Sequence, residues 1–127
     1  MSIGMERQLD CSYDQALEKL PAALKAEGFG VLTEIDVSAT LKQKIDVTFR
    51  RYKILGACNP HYAHQALSHD LNIGVLLPCN LVVYENDQGT ATVLSIDPLQ
   101  TLAAADPALS EIATTVQGKL NTVLQSL

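Results

Sequence analysis

Two apolar runs, Asn80 to Glu85 and Thr90 to Asp97, stand on either side of Asn86-Asp87-Gln88-Gly89. Turn-forming residues between two such runs specify an antiparallel β-hairpin with a four-residue loop. Because Leu81 to Tyr84 is apolar on both parities, the first strand of that pair reads as a central strand of a sheet. The chain must therefore supply it with neighbours and cover.

Upstream, Ile3, Met5, Leu9 and Cys11 share one parity, broken only by Arg7, and read as a strand. Ser12 with Gln15 three residues on makes a capping-box pattern, and Tyr13, Ala16, Leu17, Leu20 and Leu24 recur at helical spacing until Gly28 offers a left-handed stop. Pro21 is expected to kink that helix. Phe29 to Val37 alternates as a half-buried strand, and Ser38 to Lys44 reads as a short helix or turn anchored by Leu41. Ile45, Val47 and Phe49 then alternate, whereas Tyr52 and Ile54 take the opposite parity. One extra residue reverses the faces of a strand, so a bulge or bend is expected at Arg50-Arg51, turning Cys58 inward with Tyr52 and Ile54.

Asn59-Pro60 is a cap followed by proline at the first helical position, which predicts a helix from Pro60 to about His69. Tyr62, Ala63, Ala66, Leu67 and Leu71 fall on one of its faces, and His61, His64 and Ser68 on the other. Asp106-Pro107 repeats the signal before a long amphipathic helix carrying Leu109, Ile112, Ala113, Val116, Leu120 and Leu124. The order is strand, helix, strand, short helix, strand, helix, hairpin, helix. With no linker or repeat to divide it, residues 1–127 read as a single α+β domain.

Charge and composition narrow the function classes. Nine Lys and Arg against fourteen Asp and Glu give a net charge of −5, the wrong sign for a nucleic-acid or anionic-membrane binder, and there is no Trp among few aromatic residues. The start MSIGMERQLD turns polar too early for an export signal, and the longest apolar run, Ile73 to Leu77, is far short of the roughly 20 residues that span a bilayer. Cys11, Cys58 and Cys79 form an odd set with no C-x-x-C, which fits reduced thiols in a cytoplasmic protein.

Five basic residues (Lys42, Lys44, Arg50, Arg51 and Lys53) lie close together, while Ile54 to Gly118 contains no Lys or Arg and six acidic residues. That segment is either a steering patch for an anionic ligand or, more plainly, a solvated strand and turn whose charges point to both faces. Cys58 precedes a helix start and Cys79 follows Pro78 at the entry to the central strand. If the sulfurs meet, they form a redox pair or half of a soft-metal site with His61 as third ligand; otherwise they are small core residues. No nucleophile elbow, phosphate loop, H-E-x-x-H or paired-carboxylate motif anchors an enzyme.

YKILGACNPHYAHQAL at 52–67 and IGVLLPCNLVVYEN at 73–86 resemble the signature segments of domain-of-unknown-function family number 302, and GFGVLTEIDVSATLKQK at 28–44 resembles its upstream segment. The resemblance implies a TATA-binding-protein-like α+β fold of the β-α-β(4)-α type, a small mainly antiparallel sheet packed on helices, and a homodimer. It implies no reaction and no known cofactor. Its motif positions are Cys58, Asn59 and Pro60 in the first segment and Pro78, Cys79 and Asn80 in the second.

These readings converge on a non-catalytic binding or sensor module, dimeric, in which Cys58, Asn59, Pro60, Cys79 and Asn80 line a pocket for a small anionic or soft ligand such as a metal ion or sulfur species. The alternatives are an interaction protein using Ile73–Leu77 and the basic segment as its interface, and a cysteine-dependent enzyme with Cys58 as nucleophile. Neither nucleic acid nor membrane is expected as a partner.

Overall fold

A computed structural model describes residues 3–127. Five strands, β1 (Gly4–Gln8), β2 (Gly30–Asp36), β3 (Tyr52–Cys58), β4 (Cys79–Glu85) and β5 (Ala91–Ile96), form one antiparallel sheet in the order β1-β5-β4-β3-β2. The hairpin β4–β5 occupies the positions its sequence predicts, with β4 central. Asn86 organises the turn: its side-chain oxygen accepts from the Gln88 and Thr90 amides, and Gly89 supplies the positive φ of 79°.

Register divides the residues between the two faces. Leu55 pairs with Leu81, Ala57 with Cys79 and Val83 with Val93, which puts this fully or nearly buried set on one side. Against it pack α1 (Tyr13–Ala26) through Ala16, Leu20 and Leu24, and α5 (Ser110–Gln125) through Val116, Leu120, Val123 and Leu124. α1 opens with the expected capping box, Gln15 N–H to Ser12 Oγ at 3.2 Å and Ser12 N–H to Gln15 Oε1 at 3.0 Å. It runs on through Pro21 and closes at Gly28 (φ 87°), where the amides of Gly28 and Phe29 donate back to Lys25 and Leu24. Arg7, the exception in the β1 pattern, lies on this covered face opposite Val93 and donates to the Leu124 carbonyl at 2.6 Å, where the last turn of α5 needs a cation.

The segment 45–51 departs from expectation. α2 (Val37–Ile45) is capped by the Asp36 carboxylate on the Ala39 amide at 3.0 Å and extends to Ile45; Asp46 then turns left-handed at φ 54° and pairs with Lys42. Ile45, Val47 and Phe49 are exposed, so their alternation marks no strand, and β3 begins only at Tyr52. The register irregularity falls instead in β2, between Val31 and Thr33, where Leu32 is pushed outward.

α3 (Pro60–His69) has the predicted bounds, with His61, His64 and Ser68 exposed. Leu71, expected on its apolar face, is exposed, because the helix stops at His69 and Asp70 caps a 3-10 helix over Leu71–Leu76. α4 (Pro98–Ala105) was not predicted, although Asp97-Pro98 carries the same cap-plus-proline signal as Asp106-Pro107; the Asp97 carboxylate accepts from the Leu99 amide at 2.9 Å. Ala66, Ile73, Leu102, Leu109 and Ala113 make a second buried cluster joining α3, the 3-10 helix, α4, a second 3-10 helix at Pro107–Leu109, and α5. No helix of the described residues is long and apolar enough to cross a membrane.

Truncating Leu81, which is fully buried, to alanine should cost about 2–5 kcal/mol in urea denaturation, whereas Val75→Ala, at an 88% exposed position, should stay within about 0.5 kcal/mol. Equal effects would contradict this division of core and surface.

Candidate functional site

Where β3 ends and β4 begins, the chain leaves the sheet through Asn59-Pro60 and returns through a cis Leu77-Pro78 peptide. α3 rises from this corner beside α5, and its small residues Ala63 and Ala66 do not fill the space beneath. A cavity of about 300 Å³ results, within the size range of small-molecule sites. Phe29 and Leu32 wall it on the β2 side, Leu77 and Pro78 at the corner, Leu102 from α4, and Ile112 and Val116 from α5. Its side-chain heteroatoms are the Cys58 and Cys79 sulfurs, the Asn59 amide and the Tyr62 hydroxyl.

Cys58 and Cys79, 21 residues apart in sequence, thus reach one cavity. Ala57 is the direct partner of Cys79, so Cys58 stands one residue along and approaches from the strand end, half-buried. Burial pushes the Cys79 thiol up from the ordinary value of 9.0 to about 11, and the nearby Cys58 adds to the shift by disfavouring a second negative charge.

Asn59 is 8% exposed and occupies the N-cap position of α3, but its side chain makes no cap bond. Its amide donates instead to the Glu27 carbonyl at 3.2 Å, an orphan acceptor at the end of α1. The predicted cap is therefore corrected: Asn59 ties the start of α3 to the α1–β2 turn. Three other predicted positions fall outside the cavity lining. Pro60 is exposed at the first helical position, and Asn80 is exposed on the opposite face, one residue beyond Cys79, beside Tyr52, Val82 and Leu94. His61 is exposed on α3 and does not join the cysteines; among the described residues no group of three or more His, Cys, Asp or Glu side chains is placed to hold a metal.

The basic segment does not remain a free patch. Lys42 pairs with Asp46 and Arg50 with Asp87, while Arg51 bridges Asp14 at 3.0 Å and Glu85 at 2.9 Å and lies 4.7 Å from the centre of the Tyr13 ring. Arg50 and Arg51 tie the segment before β3 to the hairpin and to α1, while the Lys42–Asp46 pair closes the end of α2 on itself. Within the apolar 73–77 segment, Ile73 is buried in the second cluster whereas Val75 is 88% exposed.

Sequence reasoning missed Phe29, Leu32, Leu102, Ile112 and Val116 as site residues. Tyr62, Ala63 and Ala66 were visible as an apolar face, but a helical stripe looks the same whether it packs on a core or roofs a cavity.

An antiparallel sheet covered on one face by helices, with a cavity of about 300 Å³ at their junction, defines an α+β protein. The chain belongs to the family described as Domain of unknown function DUF302, whose model matches residues 5–127. It is similar to the crystal structure of an uncharacterized conserved protein DUF302 from Bacillus stearothermophilus, with a TM-score of 0.90 and 33% sequence identity over 98% of each chain. No curated protein matches.

Since the folded chain holds the Cys79 proton more tightly than the unfolded chain, stability from this group is complete below pH 9 and declines as pH rises toward 11. Denaturant titrations at the two ends of that window should show a smaller decline for Cys79→Ala than for the wild type. Identical declines would show that Cys79 is not held protonated by burial.

Proposed function

We propose that this chain is a non-catalytic binding module that holds a small, largely apolar molecule between the sheet corner and α3, with Cys58 and Cys79 giving a soft, polarisable contact. The cavity carries this reading: its walls are apolar, and its few polar groups come from two thiols, one amide and one phenol. A binding role needs neither a nucleophile nor a base, and no motif in the sequence demands one. Three free thiols suit the reducing cytoplasm. The β-α-β(4)-α arrangement of TATA-binding-protein-like folds is part of the proposal; setting aside α2, α3, α4 and the 3-10 helices leaves that element order.

Native mass spectrometry beside the denatured sample tests the reading. The wild type should carry a non-covalent mass, or take up an added apolar probe such as n-octanol, and Ala63→Phe, which fills the cavity from its half-buried wall, should reduce occupancy at least tenfold with unchanged circular dichroism. Equal binding by both proteins would place the ligand elsewhere.

A second observation favours self-association. The sheet face opposite α1 and α5 presents Tyr52, Ile54, Val82, Tyr84, Leu94 and Ile96, all half-buried, with the Tyr52 and Tyr84 rings stacked at 5.7 Å. Among the described strand residues its only charged side chain by register is Glu6 on edge strand β1, and the Arg50 guanidinium, 6.0 Å from the centre of the Tyr84 ring, is paired with Asp87, so a second copy, despite the net charge of −5, brings little like charge against it. We take this face as the contact of a homodimer. Val82→Lys should then give a monomer in size-exclusion light scattering; a mass unchanged from the wild type, whether monomeric or dimeric, would refute the assignment.

A further inference from the structure

The cavity shares two of its wall residues, Tyr62 and Ile112, with an open groove between α3 and α5. Beyond those residues the lining changes character, from aliphatic side chains and thiols to Gln65, Glu111 and Thr115. The side-chain polar groups of Tyr62, Gln65, Glu111 and Thr115 have no hydrogen-bond partner among the described residues. An apolar chamber that leads past a phenol into a row of unengaged hydrogen-bonding groups matches a molecule with an apolar body and a polar end.

Charge decides the kind of polar end. No Lys, Arg or His lines the cavity or the groove, because nearly all of their lining comes from Ile54 to Gly118, which has neither Lys nor Arg, and the α3 histidines lie outside it. Glu111 is the single charged side chain on the groove. It lies in the first turn of α5, where its carboxylate offsets the positive end of the helix dipole. An anionic head group would meet Glu111 with no counter-ion, while a cation would face the helix amides. A hydroxyl or an amide finds donors and acceptors in Tyr62, Gln65, Glu111 and Thr115 at no charge cost.

We infer that the ligand is an uncharged amphiphile, its apolar body in the cavity and its hydroxyl- or amide-type head in the α3–α5 groove. This rests on the binding reading above and narrows its ligand class, excluding the anionic ligand that the basic segment first suggested.

Three isosteric probes separate the possibilities: n-octanol, n-octanoate and n-octylamine, each titrated by displacement of an apolar dye from the full chain. n-Octanol should bind at least tenfold more tightly than n-octanoate and more tightly than n-octylamine. Glu111→Gln, on an exposed site that leaves the core untouched, should narrow the alcohol-to-carboxylate gap about threefold. Equal binding of alcohol and carboxylate, or preference for the amine, would overturn the head-group inference while leaving the cavity as a binding site. Failure of all three to bind would overturn both. An Ala63→Phe control that loses every probe equally assigns the tail to the cavity, and one that loses none overturns the two-part site.

Discussion

The pairing of β3 with β4 is the constraint on which the rest of the molecule depends. Setting Ala57 against Cys79 and Leu55 against Leu81 sends one parity of both strands toward α1 and α5, and the other, with Tyr52, Ile54, Val82 and Tyr84, to the far side. A slip of one residue would exchange these sets, bringing Asn80 under the helices and sending Leu81 outward. The same pairing sets the corner from which the chain must leave the sheet. Because β3 ends at Cys58 and β4 starts at Cys79, the whole excursion through α3 and the 3-10 helix begins and ends at neighbouring points, and its inner surface has to arch over the strand ends. The cavity is the space beneath that arch.

What keeps the arch from settling into the gap is held by a few polar ties rather than by packing alone. The Asn59 amide, spent on the Glu27 carbonyl, fixes the first residue of α3 relative to the end of α1. The reciprocal constraint comes from Gly28: in its left-handed conformation a Cβ would stand 3.1 Å from the Asn59 amide nitrogen, so glycine satisfies both the turn and the tie. At the far end of α3, His69 Nε2 lies 2.8 Å from Asp106 Oδ2, joining it to the start of the last helical segment. With both ends tethered, Ala63 and Ala66 cannot approach the sheet closely enough to fill the volume that larger residues would occupy.

How much of this was legible follows from which signals are local. The capping box at Ser12, the glycine stop at 28, the turn at Asn86 and the proline-led start of α3 are each set by a few adjacent residues, and each stands where the sequence placed it. Residues 45–49 misled because two or three alternating apolar residues also occur where a helix ends in a loop, and only exposure distinguishes the two. The Leu32 bulge left no trace, since the apolar spacing of β2 can be threaded through either register. α4 carried a readable signal in Asp97-Pro98, obscured by the strand that runs into it. For the site, period-two alternation already separated Cys79 from Asn80, so grouping the two as one motif conflated neighbours in sequence with neighbours in space. That Cys58 and Cys79 line one cavity was beyond local reasoning altogether, because it depends on register.

The distribution of charge ties these levels together. The two arginines before β3 are drawn into pairs that hold the sheet to its surroundings: Arg50 engages the hairpin, and Arg51 engages α1, the hairpin and an aromatic face. Spread across partly exposed pairs, such interactions contribute modestly to stability, but they specify where each element lies relative to β3. Their concentration there leaves the arch and the C-terminal helix without positive side chains as far as Lys119. A chain whose cations serve its frame and whose cavity is built from the cation-free remainder separates support from recognition. Whatever the cavity holds has to be recognised by shape, by sulfur polarisability and by uncharged hydrogen bonds.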